Sequence, residues 1–289
     1  MRKCHSLLSI LFTASVWGSA LPAFGQALIP HVLELDPVRM EQQGLFLAQE
    51  AVQLAQFQQF DLALTRAQLA SQLAPESPQV WLLVGRLYLQ QEDFDQSLSA
   101  ILKARTLDPQ DPAALFDLGS LYFRQGEYER AARALEDGLK ISSAVPAALF
   151  DLGNTYFKMA RYDEAIASYK EAAELDEAFW PAINNVGLVL YEQGDIAGAL
   201  DYWQEAVDLT ASEEAEPLLA IAVALYAEGD QAAAIDAGAS ALELDSRYAD
   251  LEFLAENLWG DRLLEDTQSF LDLPPIQETL ARVGSPAGM

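Results

Sequence analysis

Reactive side chains are scarce in this chain. Its 289 residues include one cysteine and two histidines. Cys4 and His5 sit at the very start, and His31 follows in a short leader. Beyond that start there is no thiol to form a disulfide or act as a nucleophile, and no cysteine–histidine set to hold zinc. No phosphate-binding glycine loop, nucleophile elbow or His-Glu metal motif occurs. Carboxylates abound, but at slots that read as solvated and not as a catalytic pair. No catalytic residue, metal or cofactor is expected.

Positive charge is scarce too. Seventeen Lys and Arg face 44 Asp and Glu, for a net charge of −27. Nucleic acids and anionic lipid surfaces are recognised through clustered cations, so neither is an expected partner. The same charge favours solubility, and a basic partner over an acidic one.

Long apolar runs are lacking apart from residues 7–17, a run too short to cross a membrane comfortably. Arg2 and Lys3 precede it. Ala23, Gly25 and Ala27 offer small residues for cleavage before Gln26 or Leu28. This is the anatomy of a secretory signal peptide over residues 1–27, with an uncleaved anchor as the alternative. Export to a periplasm, thylakoid lumen or envelope is expected. Cleavage removes Arg2 and Lys3 and no acid, so −27 becomes −29. No transmembrane span is expected in the mature chain.

What the chain has in abundance is repetition. Copies of a 34-residue unit begin at Gly44, Pro78, Pro112, Pro146, Trp180 and Ala215, the last after one extra residue, Glu214. A fixed period of this length marks stacked helical hairpins. The eighth slot holds Ala51, Gly85, Gly119, Gly153, Gly187 and Ala222; the twentieth holds Ala63, Ser97, Ala131, Ala165, Ala199 and Ala234. Small residues at both slots predict a close crossing of two helices. Leu47, Trp81, Leu115, Leu149, Ile183 and Leu218 at the fourth slot are expected in the buried face. So are Leu73, Leu107, Ile141, Leu175, Leu209 and Leu244 at the thirtieth. Gly126, Gly194 and Gly229 fall between the paired helices, where a turn is needed.

In copy two Trp81, Gly85, Tyr88, Phe94, Ala104 and Pro109 resemble the tetratricopeptide repeat pattern. In copy four Leu149, Gly153, Tyr156, Tyr162, Ala165 and Ala172 do the same. The resemblance covers residues 44–248. It implies an all-α, right-handed superhelical solenoid of helix-turn-helix repeats with C-terminal capping helices. Residues 28–43 are expected to be a leader or linker, with Pro30 and Pro37 breaking any helix. Residues 249–273 are expected to form a capping helix pair, and 274–289 a short helix and a frayed tail. The stretch Leu258 to Leu264 also resembles the C-terminal part of some cyanobacterial and chloroplast tetratricopeptide proteins, which would imply a photosystem assembly factor. The alternative is an end cap in which Trp259 covers the last hairpin.

In this family the first helix of each copy lines a concave groove. The resemblance places Leu82 and Arg86 of copy two there. Copy three adds Phe116, Ser120, Phe123 and Arg124, and copy four adds Phe150, Asn154, Phe157 and Lys158. Copy five supplies Asn184, Leu188 and Tyr191, with Asn185 beside them. Phe116 and Phe123 are one helical face, repeated by Phe150 and Phe157. They form either an apolar ladder edged by Arg86, Arg124 and Lys158, or packing between neighbouring helices. A ladder would hold a peptide with aromatic or aliphatic anchors and some acidic groups. Asn154 and Asn185 match slots that hold a peptide backbone in chaperone-tail-binding members. The matching cationic slots carry Phe150, Glu216 and Ala220, which argues against an acidic chaperone tail. The expected function is an exported, non-catalytic scaffold that binds a peptide or partner segment, in assembly or upkeep of an envelope or membrane complex. The competing expectation is self-association through the end cap, with Trp259 and Leu263 as contacts.

Overall fold

The structure is a computed structural model that describes residues 36–283. The signal segment, residues 28–35 and the tail 284–289 lie outside the described residues. From Pro37 onward the chain forms one unit.

Six helical hairpins account for most of it. They pair α1 (Pro37–Gln56) with α2 (Phe60–Leu73), α3 (Pro78–Gln90) with α4 (Phe94–Leu107), and α5 (Ala113–Arg124) with α6 (Tyr128–Ile141). Then α7 (Pro146–Lys158) pairs with α8 (Tyr162–Leu175), α9 (Trp180–Gln193) with α10 (Ile196–Leu209), and α11 (Ala215–Ala227) with α12 (Gln231–Leu244). A single 3-10 turn (Ser246–Ala249) leads to α13 (Leu251–Glu256), α14 (Asp261–Leu271) and α15 (Pro274–Val283). No strand occurs among the described residues.

One proline reading needs correction. Pro37 starts α1 instead of breaking it, so residues 37–43 belong to the first hairpin and not to a linker. Pro274 likewise opens α15. A first-turn residue has no intrahelical partner for its N–H, so proline is tolerated there.

The turn inside each hairpin is the same in all six copies. Its fifteenth-slot residue has positive φ: Gln58, Glu92, Gly126, Ala160, Gly194 and Gly229. The next residue often caps the second helix, as Asp93, Asp195 and Asp230 accept from the N–H of Gln96, Gly198 and Ala233. Ala160, with φ 55°, holds a Cβ where glycine is preferred. Ala160→Gly is expected to stabilise by about 0.5–1 kcal/mol. Thermal unfolding followed by circular dichroism checks this, and a lowered midpoint refutes it.

Packing within each hairpin couples two slots. A Cβ at Gly85, Gly119, Gly153 or Gly187 would lie 2.7, 2.5, 2.5 or 2.5 Å from Ile101, Leu135, Tyr169 or Trp203. Those partners all occupy the twenty-fourth slot. Where the eighth slot carries a methyl, at Ala51 and Ala222, the twenty-fourth is small, Ala67 and Gly238. The close crossing is sealed in copy two by Ser97, whose hydroxyl donates to the Gly85 carbonyl at 2.8 Å.

From copy three onward the thirtieth slot is not core, whereas Leu73 of copy one is partly buried against a core cluster. Ile141, Leu175, Leu209 and Leu244 are 46, 45, 48 and 50 % exposed. Each is the last residue of its helix. The chain turns away there to begin the next copy or the cap, and leaves the outer side uncovered.

First helices of successive copies touch, α1 with α3, α3 with α5 and α5 with α7, whereas second helices stay farther apart. The first-helix layer is therefore the inner, concave side. α15 packs on α12 as an end cap. α14 does something else: it lies against α9 and α11, on the concave side of copies five and six. Phe270 of α14 fills the space beside Gly238, where a Cβ would come within 2.3 Å of its ring. Glu192 of α9 caps α14, accepting the N–H of Leu263 at 3.0 Å and that of Arg262 at 3.3 Å. Trp259 and Leu263 are buried inside this arrangement. They are not free to mediate self-association.

Candidate ligand groove

The concave layer is stitched by side chains 31 residues apart. The ninth slot of one copy meets the sixth slot of the next. Arg86 Nε donates to both Asp117 oxygens at 2.8 and 2.9 Å. Ser120 Oγ donates to Asp151 Oδ2 at 3.3 Å. Asn185 Nδ2 donates to Asn154 Oδ1 at 3.2 Å. The next position is apolar, with Leu188, Leu219 and Ala220 in one core cluster. These rungs tie copy to copy, and they use side chains that the sequence offers as ligand contacts.

The four phenylalanines belong to or pack against one apolar cluster, each also engaging its own surroundings. Phe116 lies over Gly138 of its own hairpin, where a Cβ would meet its ring at 2.5 Å. Phe150 meets Tyr169 and Phe179, with ring centroids 5.7 and 5.2 Å apart. Phe123 packs on Tyr128, and Phe157 on Tyr162. Phe116, Phe123 and Phe150 keep part of their surface exposed, while Phe157 is buried.

Other expected contact residues lie too deep. Leu82, Phe157, Asn185, Asn184 (1 % exposed) and Tyr191 (0 %) are buried. Tyr191 donates its hydroxyl to Asp266 of α14 at 2.7 Å. Of the cations, Arg86 is held by Asp117, and Arg124 donates to Glu92 Oε1 at 3.1 Å and to the Leu89 carbonyl at 3.2 Å. Lys158 is exposed and has no ion-pair partner among the described residues.

Between copies three and four the concave side opens into a cavity of about 110 Å³. Ser120, Phe123, Arg124, Leu135, Asp151 and Asn154 line it, around Gly119. Asp151 is the carboxylate in it. Burial pushes its carboxyl up to about 6, against the Ser120 hydrogen bond and with help from the charge of Asp117. Asp117 is raised by burial too, opposed by Arg86.

Family profiles agree with this architecture. Residues 38–178 match the tetratricopeptide domain of cytochrome c-type biogenesis protein H. Residues 150–214 and 184–249 match the tetratricopeptide repeat itself. The chain is a tetratricopeptide repeat protein. No curated protein sequence matches it. Among solved structures it is similar to PilW, a widely conserved type IV pilus biogenesis factor. Identity there is 18 %, coverage 80 % of this chain and 99 % of that one, and TM-score 0.66. It is also similar to a thermophilic tetratricopeptide protein of Thermus thermophilus (21 % identity, 63 % and 99 % coverage, TM-score 0.55). Pseudomonas aeruginosa pilF gives 22 % identity, 72 % and 98 % coverage and TM-score 0.52. At these identities the likeness is one of fold.

The concave side is divided in two. Its half over copies five and six is covered by α14 and by a buried polar chain beneath it. Glu216 Oε1 accepts from Asn184 Nδ2 at 3.2 Å and from Trp259 Nε1 at 3.1 Å. Trp203 Nε1 donates to the Asn184 carbonyl at 3.1 Å, and Asn184 Nδ2 also reaches Asn185 Oδ1 at 3.2 Å. Asn184 Oδ1 is buried with no partner. Burial pushes the Glu216 carboxyl up to about 7, opposed by hydrogen bonds from Trp259, Asn184 and Tyr248. Among the described residues no helix covers the half over copies two to four. No helix among the described residues is long and apolar enough to cross a membrane.

The sequence reading missed Asp117, Asp151 and Glu216. For Asp117 and Asp151 the signal was available, since hydrogen-bonding side chains recur 31 residues apart, one ninth slot to the next sixth slot; Glu216 lies 32 residues after its partner Asn184, outside that pattern.

Proposed function

We propose that this protein is a non-catalytic scaffold that holds a segment of a partner protein in the concave groove of copies two to four. The observation that carries the reading is the division of the groove. One half is occupied by an amphipathic helix of the chain itself, capped by Glu192 and anchored by Trp259 and Phe270. No described segment covers the other half, and a cavity opens between its copies three and four. A surface that accepts one amphipathic segment is suited to accept another beside it. The signal-like start and the match of residues 38–178 to a cytochrome c-type biogenesis domain favour a role in assembly or maintenance of an envelope complex.

Site-specific photocrosslinking tests the groove. Benzoylphenylalanine is placed at Lys158, on the groove, or at Leu102, exposed on a second helix. Adducts are expected from position 158 and not from 102. Phe116→Ala with Phe150→Ala is expected to lower capture at least about tenfold, a loss of ~1.4 kcal/mol, with helicity unchanged. Adducts from position 102 alone, or capture indifferent to the double substitution, would overturn the reading.

A further inference from the structure

We propose that the cavity between copies three and four is a binding site for a primary ammonium group, supplied by a lysine side chain of the partner segment. This rests on the groove reading above and gives it a chemistry. It also reverses the sign suggested by Arg86, Arg124 and Lys158, which pointed to an acidic ligand, and agrees with the basic partner favoured by the net charge.

The reversal follows from who is paired with whom. Arg86 is satisfied by Asp117, and Arg124 by Glu92 and a backbone carbonyl. Asp151 is the group left over. Its Oδ2 accepts from Ser120, its Oδ1 has no partner among the described residues, and no cation pairs with it. Oδ1 is not sealed away either, since Asn184 Oδ1 is the buried side-chain atom without a partner. A carboxylate at the wall of a small pocket, shielded from water yet reachable, gains most from a cation that brings its own donors.

Size and shape narrow the class. At roughly 30 Å³ for each water-sized group, a cavity of about 110 Å³ holds three or four heavy atoms. That is the end of a lysine side chain. Phe123 and Leu135 supply apolar wall for its methylenes. Asp151 Oδ1 and the lone pairs of Ser120 Oγ accept from the ammonium. Asn154 Oδ1 already accepts from Tyr169 at 2.8 Å and from Asn185. Its Nδ2 is left to donate to a carbonyl of the same ligand.

The test uses small probes on the mature protein and needs no partner. Amide ¹H–¹⁵N spectra are recorded during titration with n-butylammonium, glycinamide or n-butanol. Saturable shifts at Gly119, Ser120 and the Asn154 side-chain amide are expected with n-butylammonium and not with n-butanol. Asp151→Asn is expected to weaken binding at least tenfold with spectral dispersion retained, and Ser120→Ala severalfold. No saturable shift, an equal response to n-butanol, or binding unchanged in Asp151→Asn would overturn the proposal. Larger shifts with glycinamide would overturn the lysine assignment in favour of a chain N-terminus. Adducts at position 158 that persist unchanged in Asp151→Asn would overturn the ammonium site and leave the groove reading standing.

Discussion

Glu216→Gln is expected to stabilise the protein by about 3 kcal/mol at pH 8 and to change it by less than about 1 kcal/mol at pH 4. The carboxyl is raised from 4.5 to about 7, chiefly by burial. Between those values the unfolded chain ionises Glu216 while the folded chain keeps it protonated. Stability from this group is therefore complete below pH 4.5 and is lost as pH rises through about 7. That is the reverse of the usual carboxylate, which loses stability in acid. A glutamine keeps an acceptor for Trp259 and Asn184, cannot ionise, and brings a donor for the orphaned Asn184 Oδ1. Urea midpoints at pH 4, 6 and 8 measure the difference. Asp151, raised to about 6, and Asp117, also raised by burial, titrate in the same direction and contribute to the slope that the glutamine variant retains. If parent and variant midpoints move in parallel, Glu216 is not the titrating group.

Trp203→Ala is expected to cost about 3–5 kcal/mol. The ring is fully buried, stacks near Tyr191 and donates to the Asn184 carbonyl. Gly187→Ala is expected to cost about 1–3 kcal/mol, since the new Cβ would sit 2.5 Å from Trp203 Nε1 and push the indole off its acceptor. The double variant is expected to be more stable than the sum of the two losses by about 1–2 kcal/mol. Copies one and six already use that combination, Ala51 with Ala67 and Ala222 with Gly238. Strict additivity in denaturant titrations would mean the two slots are not coupled.

The solenoid was legible because packing repeats. A glycine every 34 residues marks where two helices cross, and each crossing obeys the same geometry. The thirtieth slot misled because sequence hydrophobicity does not reveal where a helix ends relative to its neighbours. Ile141 and Leu175 sit at helix ends, past the point where another helix could cover them. The asparagines misled for a different reason. Asn184 and Asn185 have the right slots for a ligand, but rungs and the chain's own α14 claim those slots first. The stripe through Leu263, Thr267 and Leu271 announced that α14 has a buried face. It could not say that the face would turn into the groove of copies five and six, since no repeat rule governs a segment outside the repeat. Asp151 was passed over because the sixth slot reads as lateral until its 31-residue partner is noticed.

The rungs also decide which copies are interchangeable. Arg86 to Asp117 is a salt bridge, Ser120 to Asp151 a hydroxyl on a carboxylate, and Asn154 to Asn185 an amide pair. Loss of copy three would set Arg86 opposite Asp151, which is still a complementary match. Loss of copy five would set Asn154 opposite the methyl of Ala220 and leave its oxygen with the Tyr169 hydroxyl alone. Each junction thus carries its own key, and the array reads its neighbours in order. Tandem duplication and deletion, by which such arrays grow and shrink, are filtered here by polar matching at the seams as well as by the shared apolar template.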